Sequence, residues 1–260
     1  MAPIKSPHRP FLGRLNTSVR KRRYRLSRWL AGVRGRNQAP IVCRYLGAKF
    51  RITPGELIGD EIAINRYEWR ELAMMLAACR RHQPSLFIDA GANIGLYSCI
   101  VGKAGVVPKI VAFEPDRRNF AGLVDNIGRN DLSEVVDARP QAVGARAQTA
   151  TLVADGSDNT GLSRIAAADP SGYPVEVVAL DDAVDLTGGT LALKIDVEGH
   201  ELDALRGAAR LLGSNGGYAQ IEAHGDTRAA ETTAIMRDYG WQFLDRYGLD
   251  IRFERPGTRP

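Results

Sequence analysis

Between residues 86 and 253 short, continuous apolar blocks alternate with longer stretches in which apolar residues recur every three or four positions. The blocks at 86–89, 109–113, 134–137, 191–196 and 218–222 read as buried strands, the third able to run on to 143. The stretches at 94–104, 116–129, 199–212 and 228–239 read as helices. Alternation of this kind forces right-handed crossovers and a parallel sheet covered on both faces. Two last blocks, 241–245 and 250–253, joined through Gly248, read as a hairpin that adds an antiparallel strand. The expected fold class is therefore α/β and Rossmann-like: a seven-stranded, mostly parallel sheet with helices on both faces and a C-terminal antiparallel hairpin. Upstream, 41–52 reads as a small hairpin turning near Gly47, and 65–81 as a helix with Trp69, Leu72, Leu76 and Cys79 on one face.

The block at 86–89 ends in Asp89, and the chain then turns through Gly91, Asn93 and Gly95 into a helical stretch. Strand, glycine-bearing turn and helix make a cradle for a nucleotide cofactor, because small residues admit a ligand close to the backbone. The next strand ends in Glu114, 25 residues after Asp89 and about one strand–helix–strand step away. That places a second acid at the neighbouring strand tip, where it can accept both hydroxyls of a ribose. A dinucleotide site shows G-x-G-x-x-G, whose amides receive a pyrophosphate. Here the turn is Gly91-x-Asn93-x-Gly95 with a carboxylate two residues ahead. An acid in that place repels a pyrophosphate and attracts the ammonium and sulfonium of S-adenosylmethionine. The sign of the charge selects S-adenosylmethionine, with an NAD-dependent oxidoreductase as the alternative. Asp89, Gly91, Asn93 and Gly95 are expected at the methionine end and Glu114 at the ribose. Gln141 and Ala142, at the third strand's tip, are expected at the adenine edge.

These segments also resemble the FkbM-type S-adenosylmethionine-dependent methyltransferases. The resemblance is carried by Phe87-Ile-Asp-Ala-Gly-Ala-Asn-Ile-Gly95, Ala112-Phe-Glu-Pro-Asp116 and Gln141-Ala-Val-Gly144. It continues through Val175-Glu-Val-Val-Ala-Leu-Asp-Asp182 and Leu193-Lys-Ile-Asp-Val-Glu-Gly-His-Glu201. It spans roughly residues 41 to 224, and the Lys-Ile-Asp-Val-Glu-Gly run is its most specific piece. The resemblance implies a class I methyltransferase domain and methyl transfer, commonly to a hydroxyl of a sugar, polyketide or other secondary metabolite. It also implies that Glu68, in Tyr-Glu-Trp, lies near the methionine ammonium; the plain alternative is a solvated helix face.

Charge changes the picture at one end only. Residues 1–36 hold eleven of the 35 Lys and Arg and none of the 30 Asp and Glu, so this arm carries +11. The remainder, with 24 basic and 30 acidic residues, carries −6 and is mildly acidic. A mobile extension, a basic helix on an anionic membrane surface and a nucleic-acid arm all fit the arm's composition. The organisation expected is therefore a basic arm over 1–36, a β/helical extension over 37–85 and a methyltransferase domain over 86–260. The three cysteines, Cys43, Cys79 and Cys99, show neither disulfide nor zinc spacing. With no apolar run of membrane-spanning length and no apolar leader core, the expected compartment is the cytoplasm, with peripheral membrane contact through the arm as an option. The expected partner is a small-molecule or glycan acceptor. An RNA methyltransferase recruited by the arm is a further alternative, although nucleic acid is not the expected partner.

Ligands of open α/β sheets bind beyond the carboxyl ends of the strands, so the strand tips carry the candidate chemistry. These are Asp196, Glu198 and His200 after the fourth strand, and Glu222 and His224 at the fifth. Methyl transfer to a hydroxyl needs the two reactants held in line and the hydroxyl proton removed. Histidine changes charge near neutral pH, which suits His224 to the base role, with Asp196 orienting the base or the acceptor and Glu222 beside them. Each residue has a plain reading as well: Asp196 as a helix cap, Glu198 and Glu201 as first-turn acids, His200 on a helix surface, His224 in a loop. Asp181 and Asp182 read as a cap and its neighbour. Asp196, Glu222 and His224 could gather a divalent cation, but oxygen-rich tips are common without one and no metal is expected. The polar stretch 155–174 reads as a long loop suited to a lid.

Overall fold

The computed structural model describes residues 39–55, 57–64, 67–153, 164–166 and 171–256. The chain opens with a hairpin, β1 (Ile41–Tyr45) and β2 (Ala48–Ile52), followed by α1 (Leu57–Ala63) and α2 (Trp69–His82). Then come β3 (Leu86–Ala90), α3 (Leu96–Ala104), β4 (Ile110–Phe113), α4 (Arg117–Arg129) and β5 (Val136–Arg139). Four strands and a short helix follow: β6 (Ala142–Val143), β7 (Gln148–Val153), β8 (Arg164–Ala166), β9 (Tyr173–Val178) and α5 (Leu180–Ala183). The chain closes with β10 (Thr190–Ile195), α6 (Glu201–Arg206), α7 (Ala209–Ser214), β11 (Gly216–Glu222), α8 (Asp226–Asp238), β12 (Gln242–Tyr247) and β13 (Asp250–Arg255).

Seven strands form the main sheet in the order β12–β13–β11–β10–β3–β4–β5. Strands β5, β4, β3, β10 and β11 are mutually parallel, and β13 is antiparallel to both β11 and β12. The expected sheet and its terminal hairpin are both present. Strand order reverses between β3 and β10, so their carboxyl ends flank the switch point where such sheets take ligands.

Alternation along each strand divides the core. Leu86, Ile88 and Ala90 of β3 pack with Leu193, Leu205 and Trp241 on one face, while Phe87 packs with Ile100, Leu123 and Tyr218 on the other. The second face also takes Tyr45, Phe50 and Ile52 of the N-terminal hairpin and Leu72 and Met75 of α2. Two buried asparagines of α4 receive the free edge of β2. Asn126 Oδ1 accepts from the Arg51 amide at 2.7 Å, and Asn130 exchanges bonds of 2.8 and 2.7 Å with the Lys49 amide and carbonyl.

Four elements depart from the sequence pattern. The third strand does not run on to 143: the chain leaves the sheet at Pro140, which has no amide hydrogen for a ladder, and Ala142–Val143 pairs with β9 instead. That pairing belongs to a second sheet, β6–β9–β7–β8. The helix expected at 199–212 is two, which meet at Gly207, where the backbone passes so close to Gly144 that an added Cβ would stand 2.0 Å from its carbonyl oxygen. Asp181 caps the second of these rather than its own helix, accepting from the Arg210 and Leu211 amides at 2.8 Å each. Finally, α2 buries Leu72, Met75, Ala78 and Cys79, leaving Trp69 exposed and Leu76 half-buried. The basic arm and most of the 155–174 loop lie outside the described residues.

The tightest backbone packing lies in the turn after β3. Gly91 has φ +84° and an added Cβ would sit 1.7 Å from the Asp196 carbonyl oxygen; Gly95 has φ +85° and would press 2.6 Å against Leu123. These glycines therefore make room for neighbouring parts of the chain. Gly47 has φ +94° with open space around it. Gly91→Ala should cost about 3 kcal/mol in urea unfolding and Gly47→Ala about 1 kcal/mol, the left-handed backbone being common to both and the clash to one. Equal losses at the two positions would contradict this account.

Candidate active site

Register and alternation put a polar row on one face of the sheet. Lys194 of β10 is opposite Asp89 of β3 and Gln220 of β11, all on the face that also carries Phe87 and Tyr218. At the carboxyl ends of these strands lies an open crevice, where sheets of this kind take their ligands. Among its lining residues are Glu68, Asp89, Gly91, Asn93, Glu114, Gln141, Ala142 and Asp196. Eight of the eleven sequence-selected positions thus meet at one place. Gly95, Glu222 and His224 do not line it.

Asp89 is buried, and its Oδ2 accepts from the Ser98 amide at 3.0 Å and the Ser98 hydroxyl at 2.6 Å. One oxygen is thereby committed to holding the first turn of α3. Burial pushes the Asp89 carboxyl up to about 6, against the pull of the two Ser98 bonds. Glu114, at the tip of β4, accepts from the Asn93 amide at 2.7 Å and the Asp116 amide at 2.9 Å, one bond to each oxygen. Asn93 takes φ +51° to present that amide. Desolvation still pushes Glu114 up to about 7, the two amides pulling the other way. The Asn119 side chain bonds this carboxylate as well, and with about four acceptor positions on its two oxygens it can still accept from a ligand hydroxyl.

Glu68 stands just before α2 at φ +44°. Tyr67 and Tyr97 hydrogen-bond its carboxyl group, yet its Oε2 is buried with no hydrogen-bond partner among the described residues. Burial pushes this carboxyl up to about 7, with Lys194 opposing. An unpaired buried acceptor costs about 1–3 kcal/mol, so this atom is built to meet a donor.

Around Lys194 the charges close up. Its Nζ lies 2.9 Å from Asp250, 3.7 Å from Asp196 and 3.9 Å from Glu222, and 5.5 Å from the centre of the Tyr97 ring. Burial works against the ammonium, but Asp196, Asp250, Glu68 and Glu222 outweigh it and hold the Lys194 pKa well above its ordinary value. Glu222 hydrogen-bonds Asp196 and is pushed up to about 9, by burial first and then by the Asp196 charge. On its other side Glu222 Oε1 is 3.0 Å from His224 Nε2.

Asp196 caps no helix: α6 begins after His200, four residues on. Glu198, at φ +48°, lines the crevice and is pushed up to about 7 by burial and by the Asp196 charge. His200 is half-buried near Asp203 and stands apart from the crevice. Among the described residues no group of three or more His, Cys, Asp or Glu is arranged to hold a metal ion. Nor is any described helix long and apolar enough to cross a membrane.

Lys194, Asp250, Tyr67 and Tyr97 escaped selection from sequence. Lys194 had a signal, a charge within the apolar run Leu191-Ala-Leu-Lys-Ile195. Asp250 and Tyr67 had none, since their place depends on β13 and the segment before α2 folding back over the strand ends, and Tyr97 stands in the first turn of α3.

Comparison with known proteins agrees with this geometry. The family described as Methyltransferase FkbM domain matches residues 89–243. The hexuronic acid methyltransferase AglP of Haloferax volcanii is 22% identical over 226 residues, covering 85% of this chain and 90% of AglP. The crystal structure of methyltransferase FkbM from Methylobacillus flagellatus superposes with a TM-score of 0.50 at 22% identity, covering 66% of this chain and 44% of that one. The Pyrococcus horikoshii protein PH0793 superposes with a TM-score of 0.51 at 16% identity over 89% of this chain and 84% of its own. These two likenesses bear on the fold, and the chain spans less than half of the Methylobacillus protein. The domain match covers more than half of the sequence, and the chain belongs to the FkbM methyltransferase family.

Proposed function

We propose that the crevice binds S-adenosylmethionine and that the chain methylates a hydroxyl of a sugar or related small metabolite. The observation that carries this reading is the orphaned Glu68 Oε2, a buried acceptor facing a crevice lined by five carboxyls and one lysine. Such a site suits a ligand that brings positive charge and hydrogen-bond donors, and opposes the phosphates of NAD. The family membership points the same way, and the oxidoreductase alternative falls with it.

Glu68 would receive the ammonium of the methionine moiety. Asp89, with one oxygen fixed by Ser98, adds negative potential beside it. Glu114 would accept the ribose hydroxyls, its orientation set beforehand by two backbone amides. Gln141 and Ala142 would border the adenine. When bound, S-adenosylmethionine supplies a methyl carbon activated by its sulfonium. The chain's part is to orient the acceptor and take its proton, and Asp196 is the crevice-lining acid at the tip of β10 placed for both.

The acid surplus also bears on the acceptor. A carboxylate as the attacking group would enter against Asp196 and Glu198, whereas a neutral hydroxyl meets a hydrogen-bond acceptor. AglP is described as acting on a hexuronic acid, which makes hexuronate and hexose glycosides the first acceptors to try. No described residue favours the RNA alternative, since the basic arm lies outside them.

Two measurements test the reading. By isothermal titration, Glu68→Gln and Glu114→Ala should each weaken S-adenosylmethionine binding by about 10- to 100-fold, the scale of one charged hydrogen bond. Unchanged affinity in either variant would withdraw that residue's role. In a screen of hexuronate and hexose glycosides with a labelled methyl donor, the transferred label should resist alkaline hydrolysis, as an ether does. Label released by base would indicate an ester on a carboxylate and would overturn hydroxyl methylation.

A further inference from the structure

Methylation of a hydroxyl releases one proton: the oxygen–carbon bond forms as the donor's carbon–sulfur bond breaks, and the hydroxyl proton must leave a crevice walled by buried groups. Three side chains run from that crevice to the surface in order. Asp196 lines it, with its side chain 24% exposed. Behind Asp196, away from the crevice lining, Glu222 is 17% exposed and hydrogen-bonds it. Outermost is His224, 54% exposed, its Nε2 3.0 Å from Glu222 Oε1. The contacts are continuous and exposure is highest at the outer end.

Resting on the proposed methyl transfer in this crevice, we propose that Glu222 and His224 form a proton exit line that carries the acceptor's hydroxyl proton from Asp196 to solvent. Asp196 takes the proton of the hydroxyl. The Glu222 carboxyl turns its own proton from Asp196 towards the unprotonated Nε2 of His224, passes it on and is refilled from Asp196, and His224 yields a proton to water. One proton enters the line and one leaves it, so no other reactant is required. Glu222 and His224 thus act through Asp196 as positioning residues.

The surroundings of Glu222 suit the middle place. It is faced by Asp196 and Lys194 from β10, by Asp250 from β13 and by His224 beyond its own strand. Burial and the neighbouring acids push its pKa up, which favours the protonated carboxyl that the line needs in this place. Lys194 lies beside the line without joining it, because its neighbours keep its ammonium charged. His200, the nearest histidine in sequence, pairs with Asp203 at 3.9 Å and makes no link to Asp196 or Glu222.

The test begins without donor or acceptor. In full-length chain labelled with ¹³C-glutamate and ¹⁵N-histidine, the Glu222 carboxyl and the His224 ring should change together across the pH range. His224→Asn should move the Glu222 midpoint, and Asp196→Asn should move both signals. Independent titrations, each indifferent to the other's substitution, would overturn the line. With a glycoside that the wild-type chain methylates, His224→Asn should lower kcat on the order of 100-fold with acceptor KM unchanged. Free imidazole in the buffer should restore the rate in step with its unprotonated fraction. Full activity in His224→Asn, or a loss that imidazole leaves untouched, would overturn the proposal. A wild-type chain that binds no S-adenosylmethionine would overturn the crevice reading, and with it this inference, while leaving the shared titration in place, so the two failures are distinguishable.

Discussion

The site is organised by one buried charge, the ammonium of Lys194. A lone ammonium in a dry core costs several kcal/mol and tends to lose its proton. Here it is surrounded by carboxyls from four separate elements: Glu68 before α2, Asp196 beyond β10, Glu222 at the end of β11 and Asp250 at the start of β13. The height of the lysine is fixed by the ladders that pair it with Asp89 and Gln220. Its four neighbours together keep the ammonium charged against the cost of burial. The C-terminal hairpin takes part in this, since the direct partner at 2.9 Å is the first residue of β13.

The same cluster explains why the crevice suits a cation. Four carboxyls around one lysine leave an excess of acid, and Asp89 and Glu114 add to it from the neighbouring strand tips. Burial raises Asp89, Glu68, Glu114 and Glu222 to between about 6 and about 9. The apo site can therefore hold protons in place of a ligand's charge. A bound ammonium and two ribose hydroxyls would replace those protons, and the geometry is already set by Ser98, Asn93 and Asp116. Groups poised near neutral pH beside a cleft are what binding and proton transfer both require.

Much of this was legible in the sequence because it rests on local pattern. Strand and helix periods specified the main sheet, and alternation placed acids at the tips of β3, β4 and β10, so Asp89, Glu114 and Asp196 were found. What escaped reading depends on contacts distant in sequence. The sheet strand β5 ends at Arg139 because Pro140 has no ladder donor, and Ala142–Val143 finds a partner in β9, 35 residues further on. Gly91 and Gly95 read as room for a ligand, and the pattern gave no sign that they also make room for Asp196 and Leu123. His224 and Glu222 are strand-tip residues as expected, yet the ring turns towards Glu222 and away from the crevice lining. Asp250 carries no pattern at all until the hairpin folds it onto Lys194.

The account stands on an acidic crevice that exchanges protons for a cationic nucleoside, and calorimetry of S-adenosylmethionine binding at pH 7 in buffers of different ionisation enthalpy measures this directly. Glu68 and Glu114, each pushed up to about 7 in the free protein, are about half protonated there. Donors that favour the charged carboxylates lower both values, so binding should release protons, up to about one per site in total, and affinity should rise with pH. Binding with no proton exchange, binding with uptake, or no binding at all would contradict the account.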